Sequence, residues 1–177
     1  MSTSSFNRPR PFQRVYADKA TPLVNAIHEH RNDLQLARQE ADEVSILAIL
    51  GPLSEAYRLL AQLDPAVACG EEALALAEKL GNQTALIANG IRLATALQYR
   101  NEQDRALPIF QLALERARVR GFMVDYALQH LGKCLVELGR KDDALESFQE
   151  ALKLRAAKGD AELVASTEEA IAGAAKR

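Results

Sequence analysis

His130 and Cys134 are the two residues of this chain whose types and spacing come nearest to chemistry. Four residues apart on a helix they share a face, and an imidazole beside a thiol can activate a thiolate or supply half of a zinc site. Structural zinc is usually held by four ligands, and the sequence nominates no second pair to complete this one. His28 and His30 stand two apart, about 200° around a helix of 3.6 residues per turn, so one helix cannot aim both at a metal. The neighbouring acids Glu71-Glu72, Asp142-Asp143 and Glu168-Glu169 suit solvated faces and helix starts, where negative charge meets the positive end of the helix dipole. There is no Gly-rich phosphate loop, no Gly-x-Ser-x-Gly elbow and no His-Glu-x-x-His pair. The expectation is a non-enzyme with no catalytic residue, no metal and no cofactor. Cys69 and Cys134, in different predicted helices, are expected to be buried structural thiols rather than a disulfide framework.

Without a reaction motif, function must rest on the surface that the framework presents, and the framework is repetitive. Leu53-Ser54, Leu93-Ala94 and Leu131-Gly132 are each followed by an alanine thirteen residues after the leucine, at Ala66, Ala106 and Ala144. Gly70, Phe110 and Phe148 lie four residues after that alanine, and Ala73, Ala113 and Ala151 seven after it. Those offsets share one helical face. Two further apolar columns keep the register, Val67, Leu107 and Leu145, then Leu74, Leu114 and Leu152. The upstream stretch of each block has its own stripe, which ends at Tyr57, Leu97 or Leu135, with a small residue beside the first leucine to let two helix axes approach. Asp64, Asp104 and Asp142 occupy matching places before the second helix, where they are expected to act as N-caps, with Pro65 in the favoured first helical position. Each block is therefore helix, short turn, helix.

The run Leu131-Gly132-x-x-Leu135-x-x-x-Gly139-x-x-x-x-Ala144-x-x-x-Phe148-x-x-Ala151 resembles the tetratricopeptide repeat, and the resemblance extends over about residues 43 to 161. Gly70 departs from it where a large aromatic is usual, and Ala61 and Asn101 where the turn glycine is usual. The matched alanines stand 40 and 38 residues apart, against about 34 in the commonest form. That lengthens the helices by about a turn and is similar to the longer-helix branch found in Leu-Gly-Asn-type scaffolds and kinesin light chains. The resemblance implies an all-α fold, a right-handed α-α superhelix. It would comprise about three helix-turn-helix units (about 43–81, 82–121 and 122–159), a helix before them and a capping helix at 160–175. It also implies a protein-protein interaction module whose first helices line a concave groove. Carried over position by position, that groove takes Glu55, Arg58 and Leu59 from unit one and Arg92, Thr95, Gln98 and Tyr99 from unit two. Unit three contributes Tyr126, Gln129, His130, Lys133 and Glu137. Both signs of charge and two tyrosines suit an extended peptide or a helix better than a polyanion. The carboxylate clamp of chaperone-binding relatives is absent, because its positions hold Gly51, Glu55, Arg92, Tyr126 and His130.

Composition agrees with such a scaffold. The chain has 177 residues, 48% hydrophobic but only 5% aromatic and without tryptophan, so Leu, Ala, Ile and Val must build the core. A formal charge of −2 argues against a nucleic-acid partner. The best apolar run, Ile46 to Leu50, ends at Gly51-Pro52, far short of the ~20 residues of a membrane span. With no apolar h-region at the start, the expected location is cytoplasmic.

Residues 1–20 differ from the rest. Arg8, Arg10, Arg14 and Lys19 against Asp18 give this stretch +3 and leave −5 on the remainder. With prolines opposing a helix, it is expected to be a flexible, solvated basic arm, docking on the acidic body or on an anionic partner being the alternatives. Residues 21–177 are expected to form a single domain. Thr21-Pro22 is expected to cap and open the helix before the repeats, and Gly51-Pro52 to kink or break the next one. Gly159-Asp160 should stop the third unit and cap the last helix, with Leu163, Thr167, Ala170, Ile171 and Ala174 on its buried face. Two further function classes compete with the interaction module. One is self-assembly into a homo-oligomer through the exposed ends, and the other a regulatory sensor whose groove takes a peptide or metabolite.

Overall fold

A computed structural model describes residues 11–177; the first half of the arm, with Arg8 and Arg10, lies outside the described residues. Among these, eight helices form and no strand: α1 (Ala20–Gln39), α2 (Glu43–Leu59), α3 (Leu63–Lys79), α4 (Gln83–Tyr99), α5 (Gln103–Arg120), α6 (Val124–Glu137), α7 (Lys141–Lys158) and α8 (Ala161–Ala175). Each helix packs against its neighbours in sequence. In addition α2 touches α4, α4 touches α6 and α6 touches α8, whereas α1, α3, α5 and α7 make no such skip contacts. The stack therefore curves with α2, α4, α6 and α8 on its inner, concave side. This is a tetratricopeptide-like solenoid of three helix pairs, α2–α3, α4–α5 and α6–α7, flanked by α1 and α8.

The matched columns explain the packing. Ala66, Ala106 and Ala144 are fully buried, as are Phe110, Phe148, Ala73 and Ala151. The small residues do what close approach needs. Ser54 donates its hydroxyl to the Ala66 carbonyl at 2.7 Å, and a β-carbon at Gly132 would come within 2.5 Å of the Phe148 ring. Each helix-to-helix connection opens on a left-handed residue, at Ala41, Ala61, Gly81, Asn101, Gly121, Gly139 and Gly159, and the α5–α6 connection adds a second at Met123. The opening residue's amide and the next one turn back to the end of the preceding helix, as Ala61 does to Arg58 and Gln62 to Tyr57. These are Schellman closures, and they form at Ala61 and Asn101 although glycine is missing there.

Several local expectations are corrected. Asp64, Asp104 and Asp142 are not N-caps. They lie inside the first turns of α3, α5 and α7, whose cap residues Gln62, Glu102 and Arg140 make no side-chain cap bond. There the acids act on the helix dipole rather than on an orphan amide. The capping side chains belong to Asp42, Asn82 and Asp160, at the starts of α2, α4 and α8. Thr21 does not cap α1, which opens at Ala20 after Lys19. Nor does Gly51-Pro52 break α2, which runs through Pro52, just as α5 runs through Pro108. Both prolines are exposed, and the residues four before them, Ala48 and Asp104, are exposed too. The carbonyls that lose an amide partner thus lie on the wet side of the helix, where water can serve them. Gly51 has a different use, since a β-carbon there would lie 2.5 Å from Asn89 Oδ1 on α4.

Candidate functional site

The concave face is built from the inner sides of α2, α4 and α6, and part of it is already occupied. Residues 12–17 cross the C-terminal ends of these helices, bent at Gln13 where φ is 45°, and are fixed by a series of specific bonds. The Phe12 amide donates to Glu137 Oε1 at 2.8 Å. Its ring is 4% exposed, lies 6.3 Å from the Phe148 ring centroid, and has the Arg177 guanidinium 5.0 Å above it. Gly173 on α8 leaves the space, because a β-carbon there would meet the Phe12 ring at 3.1 Å. Arg14 is the centre of the contact. It donates to Glu137 from Nε and Nη2, both at 3.1 Å, to the Tyr99 carbonyl at 2.8 Å, and to Gln98 carbonyl and Asn101 Oδ1, both at 2.9 Å. One guanidinium thereby meets a carboxylate and the last carbonyls of α4, the negative end of that helix dipole.

The next residues are held through their backbone. The Val15 amide donates to the Tyr99 hydroxyl at 2.6 Å, and Arg58 Nη1 donates to the Val15 carbonyl at 3.2 Å. The Ala17 amide donates to the Leu59 carbonyl at 3.0 Å, and Lys133 Nζ to the Gln13 carbonyl at 3.4 Å. Tyr16 stands edge-on to Tyr99 with centroids 5.4 Å apart. The arm that composition marks as solvated is therefore docked over residues 11–17. One buried phenylalanine and one arginine suffice when their receptors are preformed, and no periodic pattern within the arm is needed.

The twelve residues assigned to the groove divide between this contact and its surroundings. Arg58, Leu59, Gln98, Tyr99, Lys133 and Glu137 bond the arm as described. Glu55 pairs with Arg58 at 2.6 Å and with Arg92 at 4.0 Å, and Arg92 donates to Asn89. Thr95 is buried and meets His130 Nδ1 at 3.3 Å. Tyr126 is 38% exposed, with Arg155 over its ring. Gln129 is buried, and among the described residues neither polar atom of its amide has a hydrogen-bond partner. Residues that the repeat pattern does not nominate also matter: Gln103 donates to Glu137 Oε2 at 2.7 Å, and Asn101, Phe148 and Gly173 complete the receptors. The turn position of Asn101 was visible in the sequence; its amide oxygen facing the groove was not.

Electrostatics separates a binding surface from a reactive one. Burial, with Lys133, Arg58 and Arg155 adding to it, pushes the His130 imidazole down to about 3. Burial, reinforced by Glu137 and Asp104, pushes the Cys134 thiol up to about 12. At neutral pH the pair is thus a neutral imidazole and a protonated thiol, the reverse of an activated thiolate. Burial also lowers Lys133, helped by Arg155 and Arg58, and raises the Tyr99 phenol. Among the described residues no cluster of three or more His, Cys, Asp or Glu side chains is placed to hold a metal. None of the helices there is long and apolar enough to cross a membrane.

A second polar cluster fastens the end of the stack. Asp125 on α6, with no exposed side-chain surface, accepts from Arg155 Nε at 3.3 Å and Lys158 Nζ at 2.5 Å. Arg155 continues to Thr167 Oγ1 at 2.8 Å and to the Leu163 carbonyl at 3.2 Å, both on α8. Burial opposes the Asp125 charge, but Lys158 and Arg155 outweigh it and hold the carboxyl below its ordinary value.

These features define a stack of helix pairs whose inner side, on α2, α4 and α6, is polar and holds residues 12–17. Residues 125–156 match the tetratricopeptide repeat. The whole stack is similar to a kinesin light chain-like protein from Podosopora anserina with nearly identical TPR-like repeats. The TM-score is 0.60 at 15% identity, over 90% of this chain and 88% of that one. A single-residue variant of the same protein gives a TM-score of 0.62 at 14% identity, over 91% and 88%. No curated protein sequence matches the chain. One unit of the chain thus matches the tetratricopeptide repeat, and the stack as a whole has the fold of tetratricopeptide-like repeat proteins.

Proposed function

We propose that this chain is a cytoplasmic protein-protein interaction module that takes an extended peptide segment in the groove lined by α2, α4 and α6. The supporting observation is that the groove holds residues 12–17 through side-chain pockets for Phe12 and Arg14 and backbone bonds at Val15 and Ala17. Pockets for particular side chains together with donors and acceptors for a backbone are the elements of peptide recognition. The functional surface comprises Arg58, Leu59, Gln98, Tyr99, Lys133 and Glu137, with Glu55, Arg92, Thr95, Tyr126, Gln129 and His130 beside them. Because these side chains sit on packed helices, little of the binding free energy is lost to ordering the receptor. The test is an affinity pull-down from source-cell lysate with the wild-type chain beside a folded Tyr99→Ala/Glu137→Gln variant. A protein recovered by the wild type and lost from the variant supports the groove; recovery of the same proteins by both refutes it.

A further inference from the structure

We infer that residues 11–17 are a tethered competitor for the groove, and that the external partner is a protein segment with an aromatic residue two positions before an arginine, bent between them as the arm is at Gln13. The inference rests on reading the groove as a peptide site and adds what the peptide must carry.

Glu137 sets the requirement. Its carboxylate has no exposed surface, and its ion-pair partner is Arg14 of the arm. Besides Arg14 it accepts from the Phe12 amide and the Gln103 amide, both neutral. An occupant that covered Glu137 without supplying a cation would strand a desolvated charge, which is strongly unfavourable. Arginine fits better than lysine, because the guanidinium reaches the carboxylate from two nitrogens and still has donors for the carbonyls of Gln98 and Tyr99. The aromatic preference comes from the Phe12 pocket, roofed by Phe148 and opened by Gly173.

Displacement is the second part. Phe12 is buried in the arm and Arg14 nearly so, whereas Val15 is 57% and Tyr16 44% exposed. Two side chains, Phe12 and Arg14, anchor the segment, while the helices also pack directly on one another. A peptide with the same two anchors gains the same contacts and competes with the tethered copy. Its apparent affinity for the intact protein is lowered by the fraction of grooves already filled.

The probe is a fluorescein-labelled peptide of residues 9–19, Pro-Arg-Pro-Phe-Gln-Arg-Val-Tyr-Ala-Asp-Lys, titrated by anisotropy into full-length chains. Binding to a Phe12→Ala/Arg14→Ala chain is expected to be at least tenfold tighter than to the wild type. Arg14→Lys should fall between them and serves as the milder variant should the double substitution disturb folding, which circular dichroism reports. Adding Glu137→Gln to the double variant, or replacing the probe's central arginine by lysine, should each weaken binding at least tenfold. Equal affinity for wild type and both arm variants, or no binding to any folded chain, overturns the inference. If the probe fails while the lysate partner still depends on Tyr99 and Glu137, the peptide-groove reading stands and the competitor falls. A wild-type dimer in sedimentation that becomes a monomer in the arm variants would place the arm in a second copy's groove and overturn the intramolecular arrangement.

Discussion

Replacing Phe12 by alanine removes a ring that is 4% exposed, packed between Phe148 and the Arg177 guanidinium. In an ordinary core such a change costs about 3–5 kcal/mol. Here the loss has a ceiling, because the chain can release residues 11–17 and keep the helical stack. Ordering each arm residue costs about 1–2 kcal/mol, which offsets most of what Phe12 and Arg14 contribute. The net docking free energy is then on the order of 2–3 kcal/mol, the size of one aromatic transfer term. Phe12→Ala and Arg14→Ala should each lower the unfolding free energy by about 2 kcal/mol, a scale set by that term and by a charged hydrogen bond. The double variant should lose no more than about 3 kcal/mol, well short of additivity. Urea unfolding followed by far-ultraviolet circular dichroism measures the losses. Amide exchange at Val15, whose hydrogen is held by the Tyr99 hydroxyl, measures release directly and should accelerate in both single variants. A double-variant loss equal to the sum of the singles, with slow exchange retained at Val15, would refute the idea that the arm opens separately.

Further expectations concern the body. Asp125→Asn should cost about 3 kcal/mol, because it leaves the buried Arg155 guanidinium without its carboxylate, and amide exchange should show α8 loosening first. Because the folded Asp125 carboxyl lies below its ordinary value of 3.8, its stabilising contribution is complete above that value and is lost as pH falls through the folded one. His130 acts in a higher window. With its folded value near 3 against 6.5 unfolded, the unfolded chain binds the extra proton between them, so stability should decline as pH falls below 6.5. The slope cannot exceed about 1.4 kcal/mol per pH unit, and a His130→Gln variant should flatten it in urea titrations between pH 6.5 and 4.5. Ala61 holds a left-handed conformation at φ 58°, so Ala61→Gly should stabilise the chain by about 1 kcal/mol, measured as a raised urea midpoint.

The fold was legible because its signal is local and repeated. Ala66, Ala106 and Ala144 occupy one column because each is fully buried in its helix pair with room for no larger side chain, and three copies of that demand stand out from composition. The last helix was legible for a similar reason, since Asp160 caps it by accepting from the Leu163 amide and Thr167, Ala170 and Ala174 are buried. Errors arose where one residue type serves two neighbouring positions. An acid near a helix start can cap or sit one turn in, and Asp64, Asp104 and Asp142 do the second. Proline disfavours a helix in general, yet Pro52 sits where the freed carbonyl faces water. The docked arm was illegible because its partners are remote, with Phe12 and Arg14 meeting Glu137 more than a hundred residues away. Glu137 could be placed on the concave face from the repeat register alone. That its carboxylate is buried against an arginine from outside the repeats needs the three-dimensional structure.

The most direct measurement is site-specific photo-crosslinking in source cells, with benzoylphenylalanine at Lys133 on the concave face or at Val119 on α5, which is 82% exposed. If the groove is the peptide site, the Lys133 probe forms an adduct with a discrete partner protein, the adduct is lost when Glu137→Gln is added, and the Val119 probe forms none. An adduct of the same partner at Val119, or one at Lys133 that survives Glu137→Gln, would contradict the account.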